Sequence, residues 1–328
     1  MEEHITILDP IFLISLKYKG VEFVLIKLGL VSAILGHKNF EETIDFLAVN
    51  DFESVELACW PAGAAERRYA GVSHLDVDGL TKGRANDAVN YAANKGIEIS
   101  ALAYYPNFLD ADLYKREVYI NHFYQLIYAS ALMGVNLVTT FIGRDQHKSI
   151  EENLDLMEEI WKPILKYAKD TGVRIGIENC PMLFTKDQWP GGQNLMTTPA
   201  IWRQVFERLP SPMLGLNYDP SHFIWQKIDY IKPIYEFKDK LFHIHFKDTK
   251  MYEDKLADVG VMAEPLDFMA PKIPGLGDVD WGKFVSALTD VGYTGYSAIE
   301  IEDKAFEKTE ADIEKSIKLS VKYLRNYI

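Results

Sequence analysis

Short apolar runs rich in β-branched residues alternate with longer amphipathic stretches along most of the chain. The runs cover residues 25–34, 54–60, 97–104, 135–142, 173–178, 213–218, 241–246 and 296–301. Turn residues bound each one, as expected of buried strands. The stretches that follow them predict helices over 40–50, 83–95, 114–133, 149–170, 198–209, 225–237, 281–291 and 309–327. Gly96, Gly134, Gly172 and Gly292 fall where helices should end, because a left-handed residue satisfies the last carbonyls there. Ser149 and Glu152 have the spacing of a capping box.

Strand followed by helix, eight times over, predicts a parallel sheet. Eight units predict closure into an α/β (β/α)8 TIM barrel. An open doubly wound sheet would show a Gly-rich phosphate loop after its first strand, and the sequence has none. Residues 1–22 precede the repeat as an N-terminal extension, either an extra element over the barrel bottom or a disordered arm. Residues 23–328 form the barrel. Three long βα loops, 61–81, 181–197 and 248–280, are expected on its catalytic face.

A length of 328 residues suits one such domain. The net charge of −13 repels phosphate backbones, so nucleic acid is excluded as the default partner. No run approaches the roughly 20 apolar residues of a membrane span. The opening Met1-Glu2-Glu3 is acidic where a secretory signal is basic. Cys59 and Cys180 form no CxxC pair and read as reduced, which fits a cytoplasmic protein.

The later strands end in groups that bind metals. Residues 173–178 run into Glu178, 213–218 into Asp219, and 296–299 into Glu300, while His245 lies within 241–246. A lone carboxylate at a strand end is usually a cap or a solvated group. Strand tips converge in a closed barrel, however, and three carboxylates with an imidazole would repel one another without a cation. Such a mixed oxygen and nitrogen set suits one divalent ion, Mn2+ first, with Mg2+, Co2+ or Zn2+ as alternatives.

The segments Ile177-Glu178-Asn179, Asp219-Pro220-Ser221-His222, His243-Ile244-His245-Phe246-Lys247-Asp248, Gly275-Leu276-Gly277-Asp278-Val279-Asp280-Trp281 and Ile299-Glu300-Ile301-Glu302-Asp303 resemble the sugar phosphate isomerase/epimerase family, the xylose isomerase-like barrels. The resemblance implies metal ligation by Glu178, Asp219, His245 and Glu300, with Glu302 as a weaker alternative to Glu300. It also implies substrate contact by His222 and acid/base roles for Glu178 and Glu300. Its DNA-repair branch needs further His ligands from earlier strands, which here end in Trp60 and Tyr104-Tyr105. Its ketose 3-epimerases usually carry an Arg shortly after the metal His, where this chain has Lys247-Asp248-Thr249-Lys250. That departure leans toward the dehydratase-like and lyase-like branches.

The expected chemistry is proton removal beside the carbonyl of a sugar or oxo-sugar, as in an isomerase or epimerase. The alternative is a lyase, dehydratase or deglycosidase that eliminates a β-leaving group from a 3-oxo-glycoside, as one C-glycoside-cleaving group of this family does. A third reading is a non-catalytic sugar-binding barrel. His147, after the fourth strand, is either a further base or a solvated loop residue. Trp60, Arg67, Tyr104 and Lys247 are expected to bind substrate, and Tyr105, Phe141 and Trp189 are further aromatic candidates. Partners are expected to be a small carbohydrate and, for assembly, a second copy or a small partner subunit.

Overall fold

The computed structural model describes residues 16–18, 21–23, 26–61, 70–183 and 191–328. Within the N-terminal extension, strands β1 (Leu16–Tyr18) and β2 (Val21–Phe23) pair antiparallel. Residue 23 therefore belongs to this pair, and the barrel begins beyond it.

Eight parallel strands close the barrel: β3 (Lys27–Val31), β4 (Ser54–Ala58), β5 (Glu98–Ala103), β6 (Leu137–Thr140), β7 (Arg174–Glu178), β8 (Leu214–Tyr218), β9 (Leu241–Phe246) and β12 (Tyr296–Ile299). Strand β12 pairs with both β9 and β3, which seals the ring. These strands are buried along nearly their whole length, as expected where helices cover the outside and side chains fill the inside. Between β9 and β12, strands β10 (Asp248–Met251) and β11 (Met269–Lys272) form a separate antiparallel pair.

The principal outer helices are α1 (Phe40–Ala48), α2 (Lys82–Asn94), α3 (Leu113–Met133), α4 (Ile150–Thr171) and α5 (Pro199–Arg208). The Ser149–Glu152 capping box starts α4. Gly134 and Gly172 end α3 and α4 in the left-handed conformation. The helix expected over 225–237 is instead two short ones, α6 (Ser221–Trp225) and α7 (Lys232–Glu236). Lys227 lies between them at φ 55°, outside helical geometry, and Pro233 opens the second.

The loop 248–280 is also more ordered than its pattern suggested. Besides β10 and β11 it holds α8 (Glu253–Val259) and α9 (Pro265–Phe268). Helices α10 (Trp281–Asp290) and α11 (Glu310–Leu324) complete the ring. Among the described residues no helix is long and apolar enough to cross a membrane.

Candidate metal centre

Side chains alternate along a strand, so residues two apart share a face. In β7, β8, β9 and β12 the inward register reaches the C-terminal end at Glu178, Asp219, His245 and Glu300. One ligand atom from each of these four lies within 4.8 Å of all the others. The sequence placed all four, and the fold brings all four together.

Their partners leave one atom of each facing the shared centre. Asp219 Oδ1 accepts from the Ser221 amide at 2.8 Å, while its Oδ2 has no hydrogen-bonded partner. Glu300 Oε1 lies 3.3 Å from the Lys247 ammonium, and its Oε2 has none. Glu178 Oε1 and His245 Nδ1 are likewise buried without one. Leaving four such atoms buried costs roughly 1–3 kcal/mol each, and more for charged groups. A cation bound by all four removes that cost. The donor set therefore fits a divalent ion.

The free nitrogen of His245 is Nδ1 because its Nε2 is engaged below. Glu56, on β4, is fully buried and its Oε2 lies 2.8 Å from His245 Nε2. Tyr105 and Thr139 donate to Glu56 Oε1 at 2.5 and 2.9 Å. Asn217 donates to the Tyr105 oxygen at 3.0 Å, and its Oδ1 faces His243 Nδ1 at 3.1 Å. A carboxylate on the far nitrogen fixes the tautomer and the ring plane of a metal-binding histidine. Sequence reasoning missed Glu56. Its signal was there: a carboxylate at an inward position between the apolar Val55 and Leu57 in mid-strand.

Burial and neighbouring charge act in opposite directions on several of these groups. Burial opposes ionisation of Glu178, yet the imidazoles of His222 and His245 beside it hold its carboxyl well below the usual range. Burial pushes the Glu300 carboxyl up, with Lys247 pulling against it and Glu178 adding to it. Burial also works against a charged His245, but Glu56, Glu178 and Glu300 raise it well above its ordinary value. His243 has less negative charge around it, and burial pushes it down to about 4.

His222 stands beside the four-atom group. Its Nε2 is 3.1 Å from Asp219 Oδ2 and 3.4 Å from Glu178 Oε1, without the alignment of a hydrogen bond. It lies outside the set of four but forms a further possible ligand group with Glu178 and Cys180. Lys247 is buried between Glu300 and Glu302, 2.6 Å from the latter. Glu302 thus serves Lys247 and is not part of the four-atom group.

A cavity of about 100 Å³ opens over the centre, walled by Trp60, Tyr105, Phe141, Glu178, Lys247 and Glu300 among others. Of the residues expected to contact substrate, Trp60 and Lys247 line this cavity and Tyr104 does not. Ala103 and Tyr105 share the inward face, so Tyr104 turns outward, 1% exposed, against Trp60 and His122 at 4.8 and 4.7 Å. His147 is also not brought to the centre. It is exposed in the turn before α4, its amide donating to Asp145, and it lines no described cavity. Arg67 and Trp189 lie outside the described residues. Both cysteines are free thiols.

Comparison with known proteins agrees with this fold. The chain is 30% identical over 173 residues to the uncharacterized protein YfiH of Bacillus subtilis (strain 168), covering 50% of this chain and 51% of that one. It is 24% identical over 162 residues to an inosose dehydratase of Clostridium tetani (strain Massachusetts / E88), covering 49% and 53%. The chain spans about half the length of the curated relatives it matches. Among solved structures, an IolI protein with a bound zinc atom superposes with a TM-score of 0.68 at 18% identity, covering 92% of this chain and 99% of that one. A D-psicose 3-epimerase from Clostridium cellulolyticum H10 superposes with a TM-score of 0.66 at 15% identity, covering 92% and 99%. At such identities these two show the shared fold. The model of one family, described as the xylose isomerase-like TIM barrel, matches residues 44–327, and the chain belongs to that family.

Proposed function

We propose that this protein is a divalent-metal-dependent enzyme that removes a proton beside the carbonyl of a sugar or oxo-sugar, in the manner of an isomerase or epimerase. The observation that carries the reading is the group of four buried ligand atoms without hydrogen-bonded partners, on four neighbouring strand tips below a cavity. A bound divalent ion would supply Lewis-acid polarisation of the carbonyl. The chain's own groups do the rest. Glu178 and Glu300 are carboxylates from two separate strands, suited to take a proton from carbon and return one. His222 Nε2 holds a substrate oxygen. Trp60 and Phe141 wall the cavity and limit water. We place Mn2+ first as the native ion, the cytoplasm as the compartment, and a small carbohydrate as the ligand.

Elimination is the second reading, and Lys247 is the observation that favours it. Its ammonium lines the cavity beside Glu300. After a carboxylate takes the C–H proton, the electron pair forms the new C=C bond. The β-oxygen then departs with its bonding pair and takes a proton from Lys247. Inosose dehydratases among the relatives support keeping this reading.

The test is NMR in D2O with the protein supplied with Mn2+ and offered ketoses, inososes, sugar phosphates and 3-oxo-glucosides. Deuterium at the carbon beside the carbonyl, with the skeleton intact, is expected for an isomerase or epimerase. Loss of water or an aglycone marks a lyase. Glu178→Gln should slow either by roughly 10²–10⁴-fold. Undiminished turnover in that variant, or sugar binding with no exchange in the wild type, would sink the proposal.

A further inference from the structure

The centre opens onto two chambers. The first, of about 100 Å³, is the one over the barrel axis. The second, of about 220 Å³, lies between the loop after β7 and the ordered segment that contains α9 and β11. Cys180, Lys247 and Glu302 line both. Glu178, His245 and Glu300 face the first chamber, and His222 faces the second. The boundary between the chambers is thus lined by Cys180, Lys247 and Glu302, with the Lys247 ammonium 3.3 Å from Glu300 Oε1, so a molecule held at the ligand atoms in the first chamber lies beside the second.

The walls of the second chamber are mostly hydrocarbon. Met182, Leu183, Trp225, Pro265, Leu266 and Met269 supply them. Behind these, Trp225, Met251 and Phe268 form a small apolar cluster of their own, against which Leu183 and Met269 pack. Lys247 and Glu302, paired at 2.6 Å, line the side shared with the first chamber, and Thr249, Glu264 and Lys304 add further polar groups. A bare polyol offers such walls nothing, because its hydroxyls would lose water without gaining hydrogen bonds. An apolar cavity of about 150 Å³ is enough to hold benzene, so this one has room for a ring-sized group.

We infer that the natural substrate has two parts: an oxygen-rich part that chelates at the four-residue centre, and a covalently attached apolar, ring-sized substituent that lies in the second chamber. The inference rests on the chelation reading above and adds the substituent to it. Leu266 is the residue best placed to test it, since it is half exposed on α9 and outside the metal group.

The experiment measures binding of two hydroxamates to the protein supplied with Zn2+, by isothermal titration calorimetry. Acetohydroxamate presents only a chelating pair of oxygens. 3-Phenylpropanohydroxamate presents the same pair with an apolar ring attached. The phenyl compound is expected to bind at least about tenfold more tightly, the gain expected from burying most of a ring. Leu266→Asp should reduce that preference to under about threefold while acetohydroxamate binds as before, which also shows that the variant is folded. Equal affinities in the wild type, or a phenyl preference that Leu266→Asp leaves intact, overturn the inference while the chelation reading stands. The second result would place the ring over the barrel axis, against Trp60 and Phe141. Failure of both hydroxamates to bind removes the chelation reading itself, and this inference with it.

Discussion

Glu56 controls the metal group without belonging to it. Glu56 Oε2 and Asn217 Nδ2 each lie 2.8 Å from His245 Nε2, which leaves Nδ1 facing the centre. Glu56→Gln keeps the shape and removes the charge, so the ring loses its fixed tautomer. We expect a 10–100-fold weaker affinity for Zn2+ or Mn2+, the usual effect of losing such a partner, measured by competition with a chelating dye. Unchanged affinity would mean that the barrel packing alone orients His245. A second residue-scale effect concerns His74, whose ring meets Ser32 Oγ at 2.9 Å and the Leu35 carbonyl at 3.3 Å. Burial holds its folded pKa below the ordinary 6.5. The unfolded chain therefore takes up a proton first as pH falls. The contribution is complete above about 6.5 and is lost as pH drops toward the folded value. Melting temperature should fall less steeply between pH 7 and 5 in His74→Gln than in the wild type. At this scale the four candidate ligands were legible in the sequence because three of them end apolar runs and His245 alternates with apolar residues inside a fourth. Glu56 was passed over because it sits in mid-strand, where a charge looks like an exception. Tyr104 was misassigned because its facing depends on where the pleat starts in β5, which one adjacent Tyr pair does not disclose.

The element that most exceeds its sequence pattern is the segment 248–280. Asp248 organises it. Its carboxylate accepts from the amides of Thr249, Gly275, Gly277 and Val279 and from Trp281 Nε1, at 2.9–3.2 Å. Gly277 approaches so closely that a Cβ there would lie 2.1 Å from Asp248 Oδ1. Asp248→Ala leaves five donors without their acceptor. We expect a loss of about 3 kcal/mol or more in urea unfolding, since buried orphan donors cost roughly 1–3 kcal/mol each and water reaches some of them. Gly277→Ala should weaken the same segment by steric means. The β10–β11 pair could not be read ahead because its strands are short, Pro271 interrupts one of them, and α8 and α9 separate them in the chain. By contrast, α4 was readable from both ends, with its capping box and its terminal Gly172.

At the scale of the whole molecule, the repeat of strand and helix was enough to give the closed barrel, because each unit needs its neighbours to bury its apolar face. What the repeat could not show was how the centre ties the barrel together. Its ligands come from β7 and the ends of β8, β9 and β12, which adjoin around the ring. An ion bound only in the folded state adds about 2.7 kcal/mol when present at 100 times its Kd. Saturating Zn2+ or Mn2+ should therefore raise the melting temperature by a few degrees, and a chelator should reverse the rise. No shift with either ion would contradict the centre.

The two sides of the barrel mouth also differ in what they can change over evolutionary time. The strand ends of β3, β4, β5 and β6 present Val31, Ala58, Ala103 and Phe141 to the cavity, with no metal ligand among them. One arc of the rim thus carries the four ligand residues, while on the opposite arc these four tips, unlike Glu56, Tyr105 and Thr139 beside them, are free to drift. Selection for a new substrate can work on those four tips, altering size and shape one residue at a time, without disturbing the four-residue group.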